Sequence, residues 1–171
     1  LVADRAKAFG MRLVAFDPFV SADRARLMGV ELLSLDQAVA EADFLTVHLP
    51  KTKETTGLIN RDLLLKAKPS LRVINVARGG IVDEAALAEC IRDGIIAGAA
   101  VDVFSTEPCT SSPLFELPSV VVTPHLGAST REAQDKAGDT IADMVLLALA
   151  GDFVPFAVNV DAAEANETLR P

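Results

Sequence analysis

The residues of this chain able to move a proton or hold an anion fall at the ends of short apolar runs. His125 leaves "VVVTPH", residues 120–125, just before a Gly-Ala step and a helical pattern. Histidine's ordinary pKa, about 6.5, suits proton transfer near neutrality, although a strand-end histidine also serves purely structural roles. Arg78 follows "RVINVA" and precedes Gly79 and Gly80. Its planar fork suits bidentate capture of a carboxylate, and the glycines suit a tight turn beside a ligand; a surface arginine before a turn has the same spacing. Glu107 lies in the loop after "AAVDVF", with Pro108 fixing the turn beyond it. Asp102 stands within that otherwise apolar run, where a carboxylate must find a hydrogen-bond donor or face a cleft.

Asp17 closes the run "RLVAFD". An acid at that place in a dinucleotide-binding fold hydrogen-bonds the adenosine ribose and repels a 2′-phosphate, which favours NAD over NADP. The alternative is a turn-forming Asp before Pro18. His48, at the end of "FLTVH", reads as lining a cofactor site rather than as a catalyst. Asp17, His48, Arg78, Asp102 and His125 all close predicted strands on one edge. An Arg, a loop Glu and a His gathered there make an acid–base site with a carboxylate anchor.

The elements that must position these residues alternate short β-branched runs with helical stretches, the pattern of a parallel-sheet α/β protein. "LVADRAKAFG" is a helix closing at Gly10, and Ser21 caps a short helix to Met28. "VELL" is a brief extended segment. Ser34 and Gln37 form a capping box, Asn60 caps "RDLLLKA", and Asp83 caps "EAALAECIRD", which Gly94 ends. "GAAVDVF" and "SVVVTP" are strands separated by a Pro-rich loop, and the last helix runs from about Ser129 to Ala150, with a Ser129–Glu132 capping box. Ala133, Ala137, Ile141, Met144, Val145 and Ala148 line one of its faces. "VPFAVNV" reads as a further strand and "DAAEANETLRP" as linker. The chain opens inside a helix, so a glycine loop and its strand are expected just before Leu1.

At 171 residues, half of them hydrophobic, the chain is long enough for one domain with a real core. No apolar run reaches the roughly 18 residues that span a bilayer, and neither a leader nor a membrane anchor is visible. Cytoplasm is the expected compartment. A net charge of −8 argues against a nucleic-acid partner. Cys90 and Cys109 are too few for a disulfide framework or a zinc site, and no metal is expected.

On "NVARGGIVDEAAL", "AGAAVDVFSTEPCTSSPLFELPSVVVTPHLGAST" and "AVNV", the chain resembles the D-isomer-specific 2-hydroxyacid dehydrogenases, from Leu1 to about Val160. The resemblance implies a doubly wound parallel sheet of the Rossmann-like type, here lacking its first strand and Gly-rich loop. It implies NAD as cofactor, a small-molecule substrate and a homo-oligomer. Arg78 then binds the carboxylate and carbonyl of an oxo acid, and Glu107 pairs with the catalytic His125. Asp17, with Pro18 beside it, takes the ribose, and Asp102 lies near the nicotinamide carboxamide. Pro50, Thr55, Val76, Ala77, Gly127 and Ala128 line the NAD groove. Residues 1–128 are the expected NAD-binding domain, 129–150 a return helix, and 151–171 the start of a return to the substrate domain. "TPHLGAST" followed by "EAQDKAG" points to the branch that oxidises 3-phosphoglycerate in serine biosynthesis. The alternatives are a glyoxylate or hydroxypyruvate reductase, and a non-enzymatic NAD-sensing module similar to the C-terminal-binding-protein corepressors.

Overall fold

A computed structural model describes residues 1–158. Local chemistry starts the helices where the capping residues stand. Helix α1 (Val2–Ala8) ends at Gly10, which takes φ 73°. Strand β1 (Val14–Ala15) leads to α2 (Ala22–Leu27), where the Ser21 hydroxyl accepts the Arg24 N–H. After β2 (Glu31–Leu32) comes α3 (Leu35–Glu41), opened by the Ser34–Gln37 capping box. Strand β3 (Phe44–Val47), α4 (Arg61–Leu64) and β4 (Arg72–Asn75) follow, with Asn60 capping α4. Helix α5 (Glu84–Arg92) starts where Asp83 Oδ1 accepts the N–H groups of Ala85 and Ala86. Strands β5 (Gly98–Val101) and β6 (Val120–Val122) come next, before α6 (Arg131–Ala150).

The strands are parallel throughout, as expected, and they form two groups: β1–β2, and a four-stranded sheet in the order β3–β4–β5–β6. Among the described residues β1 does not pair with β3. Several strands are shorter than their apolar runs. "RVINVA" leaves the ladder at Asn75, whose side chain takes over the backbone groups beyond it, and "GAAVDVF" leaves it at Val101. Residues 154–158 of "VPFAVNV" are turn and irregular chain rather than strand; its last two residues and the expected linker lie outside the described residues.

The core gathers on the four-stranded sheet. Leu64, Leu71, Val73, Ile81, Leu87 and Leu114 are fully enclosed, drawn from α4, β4, α5 and the loops between. Helix α1, by contrast, buries no residue, and Phe9 beyond it is 86% exposed. The ends of β3 to β6, which lead to His48, Arg78, Asp102 and His125, are therefore anchored on this core, whereas β1, which leads to Asp17, adds no residue to it.

The chain divides into two compact units, Leu1–His125 and the segment from Leu126 onward. In the second unit, Ser129 N–H closes a turn onto Leu126 O, and Thr130 rather than Ser129 caps α6, accepting the Ala133 N–H. Ser129's backbone is held by that turn, so the next hydroxyl meets the free first-turn N–H groups. Helix α6 ends at Gly151 (φ 75°) and buries no residue. Of the face expected from periodicity, Ile141 and Val145 are exposed, while Ala133 and Met144 are half-buried.

Truncating Leu87 to Ala should destabilise the protein by about 2–5 kcal/mol, because the side chain is enclosed on all sides. Phe9→Ala, at an exposed site, should stay within about 0.5 kcal/mol. Urea unfolding of both variants checks the contrast, and equal effects would contradict this placement of the core.

Candidate active site

Glu107 and His125, the residues expected to form an acid–base pair, meet directly. His125 Nδ1 lies 2.7 Å from Glu107 Oε2, and the other carboxylate oxygen, Oε1, accepts the Phe104 N–H at 2.9 Å. The loop thus folds back on itself so that a backbone amide aims the carboxylate at the imidazole. The hydrogen bond with His125 is the main cause holding the Glu107 carboxyl below its ordinary range, and the Phe104 N–H adds to it. Both side chains are partly exposed, so a ligand can reach them. A cleft beside them is lined by Phe104, Pro108, Cys109, Phe115, Val122 and Thr123, apolar for the most part.

His125 is held in an unusual backbone state. It is the one non-glycine with positive φ among the described residues, at 58°, a left-handed conformation that costs a β-carbon-bearing residue on the order of 1–3 kcal/mol. Its N–H donates to Asp102 O at 2.8 Å, tying it to the end of β5. Asp102 is buried, and its carboxylate accepts the Thr123 hydroxyl. Thr123, two residues before His125, thus supplies a donor that a buried Asp needs in an apolar setting.

Arg78 stands three residues beyond β4, as His125 stands three beyond β6, with β5 between them. Two ladder spacings set these strand ends about 10 Å apart. The Arg78 side chain is exposed and donates one hydrogen bond, from Nη1 to Ala77 O at 2.7 Å. Gly80 takes φ 83°, as a tight turn requires. Gly79 is different: a Cβ there would lie 1.8 Å from the Phe104 carbonyl oxygen. Its partner is this chain's own backbone rather than a ligand. The Arg78 turn packs directly on the loop that carries Glu107.

Asp17 lies two residues past β1, and its Oδ1 accepts the Phe19 N–H at 2.8 Å, so it does shape the turn at Pro18. Oδ2 takes no part in that turn. His48 Nε2 contacts Thr46 Oγ1 at 3.0 Å at the end of β3. The Thr55 hydroxyl donates to Pro50 O and accepts the Thr52 N–H, which closes that loop and leaves the side chain no proton to donate elsewhere. Val76 is exposed and Ala77 half-buried at the end of β4. Gly127 and Ala128 are the central residues of the turn that opens the second unit.

Two residues of the site escape a reading of motifs. Glu84, the first residue of α5, accepts the Ser105 N–H at 2.6 Å and so pins the loop leading to Glu107. Asn75 is buried at the end of β4 and bonds to the Arg78 turn. The signal for Asn75 was a polar residue on the same strand face as Val73, the argument that singled out Asp102. Glu84 gave no such signal, because an acid in the first turn of a helix is ordinary.

A parallel α/β sheet with an acid at an early strand end and an Arg–Glu–His set at later ones defines a dinucleotide-dependent dehydrogenase type of domain. Residues 1–127 match the family model of the D-isomer specific 2-hydroxyacid dehydrogenase, NAD binding domain, and the chain belongs to that family. It is 61% identical over 171 residues to the D-3-phosphoglycerate dehydrogenase of Mycobacterium tuberculosis, covering all of this chain and 32% of that protein. The Bacillus subtilis protein of the same name is 46% identical, with 97% of this chain and 32% of that protein covered. The chain thus spans about a third of the length of the curated relatives it matches. Among solved structures, the NAD-complexed D-isomer specific 2-hydroxyacid dehydrogenase of Lactobacillus delbrueckii ssp. bulgaricus superposes with TM-score 0.83 at 27% identity, covering 92% of this chain and 52% of that one. The Rhodotorula graminis D-mandelate dehydrogenase gives TM-score 0.85 at 28% identity, with 94% and 48% covered.

Placing a methyl group at Gly79 should force the Arg78 turn off the Phe104 backbone. Gly79→Ala is expected to lower stability by about 1–3 kcal/mol in urea unfolding, and a change under about 0.5 kcal/mol would contradict the contact. The depressed Glu107 carboxyl stabilises the fold above its unfolded pKa, and this contribution is lost as pH falls through the lower folded value. A carboxyl-resolved NMR titration should therefore place the Glu107 midpoint below about 4.3, the ordinary value.

Proposed function

We propose that this chain is the NAD-binding part of an enzyme that oxidises 3-phosphoglycerate to 3-phosphohydroxypyruvate. This reading places it at the first step of serine biosynthesis, in the cytoplasm and as a homo-oligomer. The observation that carries the chemistry is the 2.7 Å contact between His125 and Glu107 on the sheet edge that also bears Arg78. The substrate is supported by the name shared by relatives at 46–61% identity. In this reading, residues 1–128 form the cofactor domain, α6 is the return helix, and the segment from 151 leads back to a substrate domain.

The donor set suits a nicotinamide dinucleotide. Asp17 keeps Oδ2 for a ribose hydroxyl, with Pro18 shaping the chain beside it. Val76 presents an exposed apolar surface to a ring, and Asp102 stands at the neighbouring strand end. His48, Pro50, Thr55 and Ala77 complete the assigned groove. Bound NAD supplies the hydride acceptor; the remaining work falls to side chains of this chain.

Glu107 at Nδ1 fixes the imidazole tautomer, so that neutral His125 has its lone pair at Nε2. There it takes the substrate hydroxyl proton during oxidation. In reduction the imidazolium returns that proton from Nε2, with Glu107 balancing its charge. Arg78 holds the carboxylate through its free N–H groups and polarises the carbonyl. Positioned proton transfer of this kind contributes on the order of 10² to 10⁴ in rate.

In the full-length protein, His125→Ala should abolish turnover while NADH still binds in a fluorescence titration. Turnover near wild type would remove His125 from the mechanism. Glu107→Gln should move the pH profile of 3-phosphohydroxypyruvate reduction to lower pH, since the imidazolium loses its counter-charge; an unmoved profile removes Glu107 from the pair. Faster reduction of glyoxylate than of 3-phosphohydroxypyruvate by the wild type would point to the glyoxylate branch of the family instead.

A further inference from the structure

We propose that Asn75 is a positioning residue for Arg78, setting the geometry of the carboxylate anchor through the backbone of the turn. This rests on the reading of Arg78 given above. Asn75 is the last residue of β4 and is 2% exposed. Its Nδ2 donates to Arg78 O at 3.1 Å, and its Oδ1 accepts the Ala77 N–H at 3.1 Å. Both ends of one carboxamide are thus committed to consecutive residues of the anchor turn. Its own carbonyl accepts the Asp102 N–H at 3.0 Å, so the residue that grips the turn is fixed in the sheet.

The contacts converge on Ala77. Asn75 holds its N–H, while Arg78 Nη1 donates to its carbonyl at 2.7 Å. That carbonyl takes one N–H of the guanidinium and aims the rest outward, leaving four of the five donors for a ligand. Among the described residues the Arg78 side chain makes no other hydrogen bond, so its direction follows from the path of the turn, and the path follows from Asn75.

Packing alone does not account for an amide at this position. Asn75 shares a strand face with Val73, which is fully buried, and an apolar residue would fill the space without the penalty of burying an amide. Asn75 and Asp102 are the two buried polar residues among those described, and they are neighbours across the ends of β4 and β5. Each has its side chain bonded to a segment bearing a site residue: Asp102 through Thr123 to the His125 segment, Asn75 to the Arg78 turn. An Asp at 75 would accept from Ala77 but repel Arg78 O, and a Leu would do neither.

The test is a double-mutant cycle in the full-length protein, with 3-phosphohydroxypyruvate and NADH as substrates and a thermal melt of each variant. Asn75→Ala should lower kcat/KM by on the order of 10²-fold, mainly through KM, as expected of a misplaced anchor. In the Arg78→Ala background the same change should cost less than threefold, because the group it positions is gone. If Asn75→Ala does not fold, Asn75→Ser enters the same cycle with the same expectation. Full additivity with Arg78→Ala would overturn the inference and leave the anchor standing. An Arg78→Ala enzyme with unchanged KM would instead overturn the anchor, and the role of Asn75 with it.

Discussion

Two stretches of backbone touch where no side chain intervenes, and the candidate site is assembled on that contact. The Phe104 carbonyl lies where a Cβ of Gly79 would be, while the N–H of the same Phe104 binds Glu107. One peptide segment thus sets the position of the Arg78 turn and of the Glu107 carboxylate together. Phe104 is itself buried, with its ring edge-on to Phe115 at 5.7 Å. Burial of one aromatic ring therefore fixes the spacing between groups that sit 25 or more residues apart in sequence, and Glu84 adds a second tether at Ser105.

The sheet supplies the other half of the geometry. Consecutive parallel strands end on one edge, and buried polar side chains at those ends convert sheet register into site register. Asp102 accepts the Thr123 hydroxyl and, through its carbonyl, the His125 N–H. Such groups would be liabilities in an ordinary core, since each must be fully bonded. Among the described residues no buried side-chain polar atom is left unbonded. The polar edge is as completely satisfied as the apolar interior is filled.

Much of this was legible in the amino-acid sequence because local chemistry wrote it there. Ser21, Ser34 with Gln37, Asn60 and Asp83 cap the helices they were expected to cap, and the β-branched runs give parallel strands. Arg78, Glu107 and His125 fall at strand ends or in the following loop, so their shared edge follows from topology once the strands are known. What stayed hidden depends on contacts that residue type and periodicity do not specify. Gly79 looked like a residue making room for a ligand, and only the fold brings Phe104 against it. The strand at "RVINVA" ended early because a side chain replaced the ladder, which periodicity does not register. Ser129 and Thr130 are equally good caps by type, and a backbone turn decided between them.

The left-handed backbone at His125 sets two demands on one residue in opposition. Judged by conformation, position 125 belongs to glycine, which would relieve the strain at once. Judged by the proposed proton transfer, it needs an imidazole. Selection for a sturdier fold alone would therefore erode this position. In the proposed mechanism, a histidine there sets some of the fold's stability aside for proton transfer.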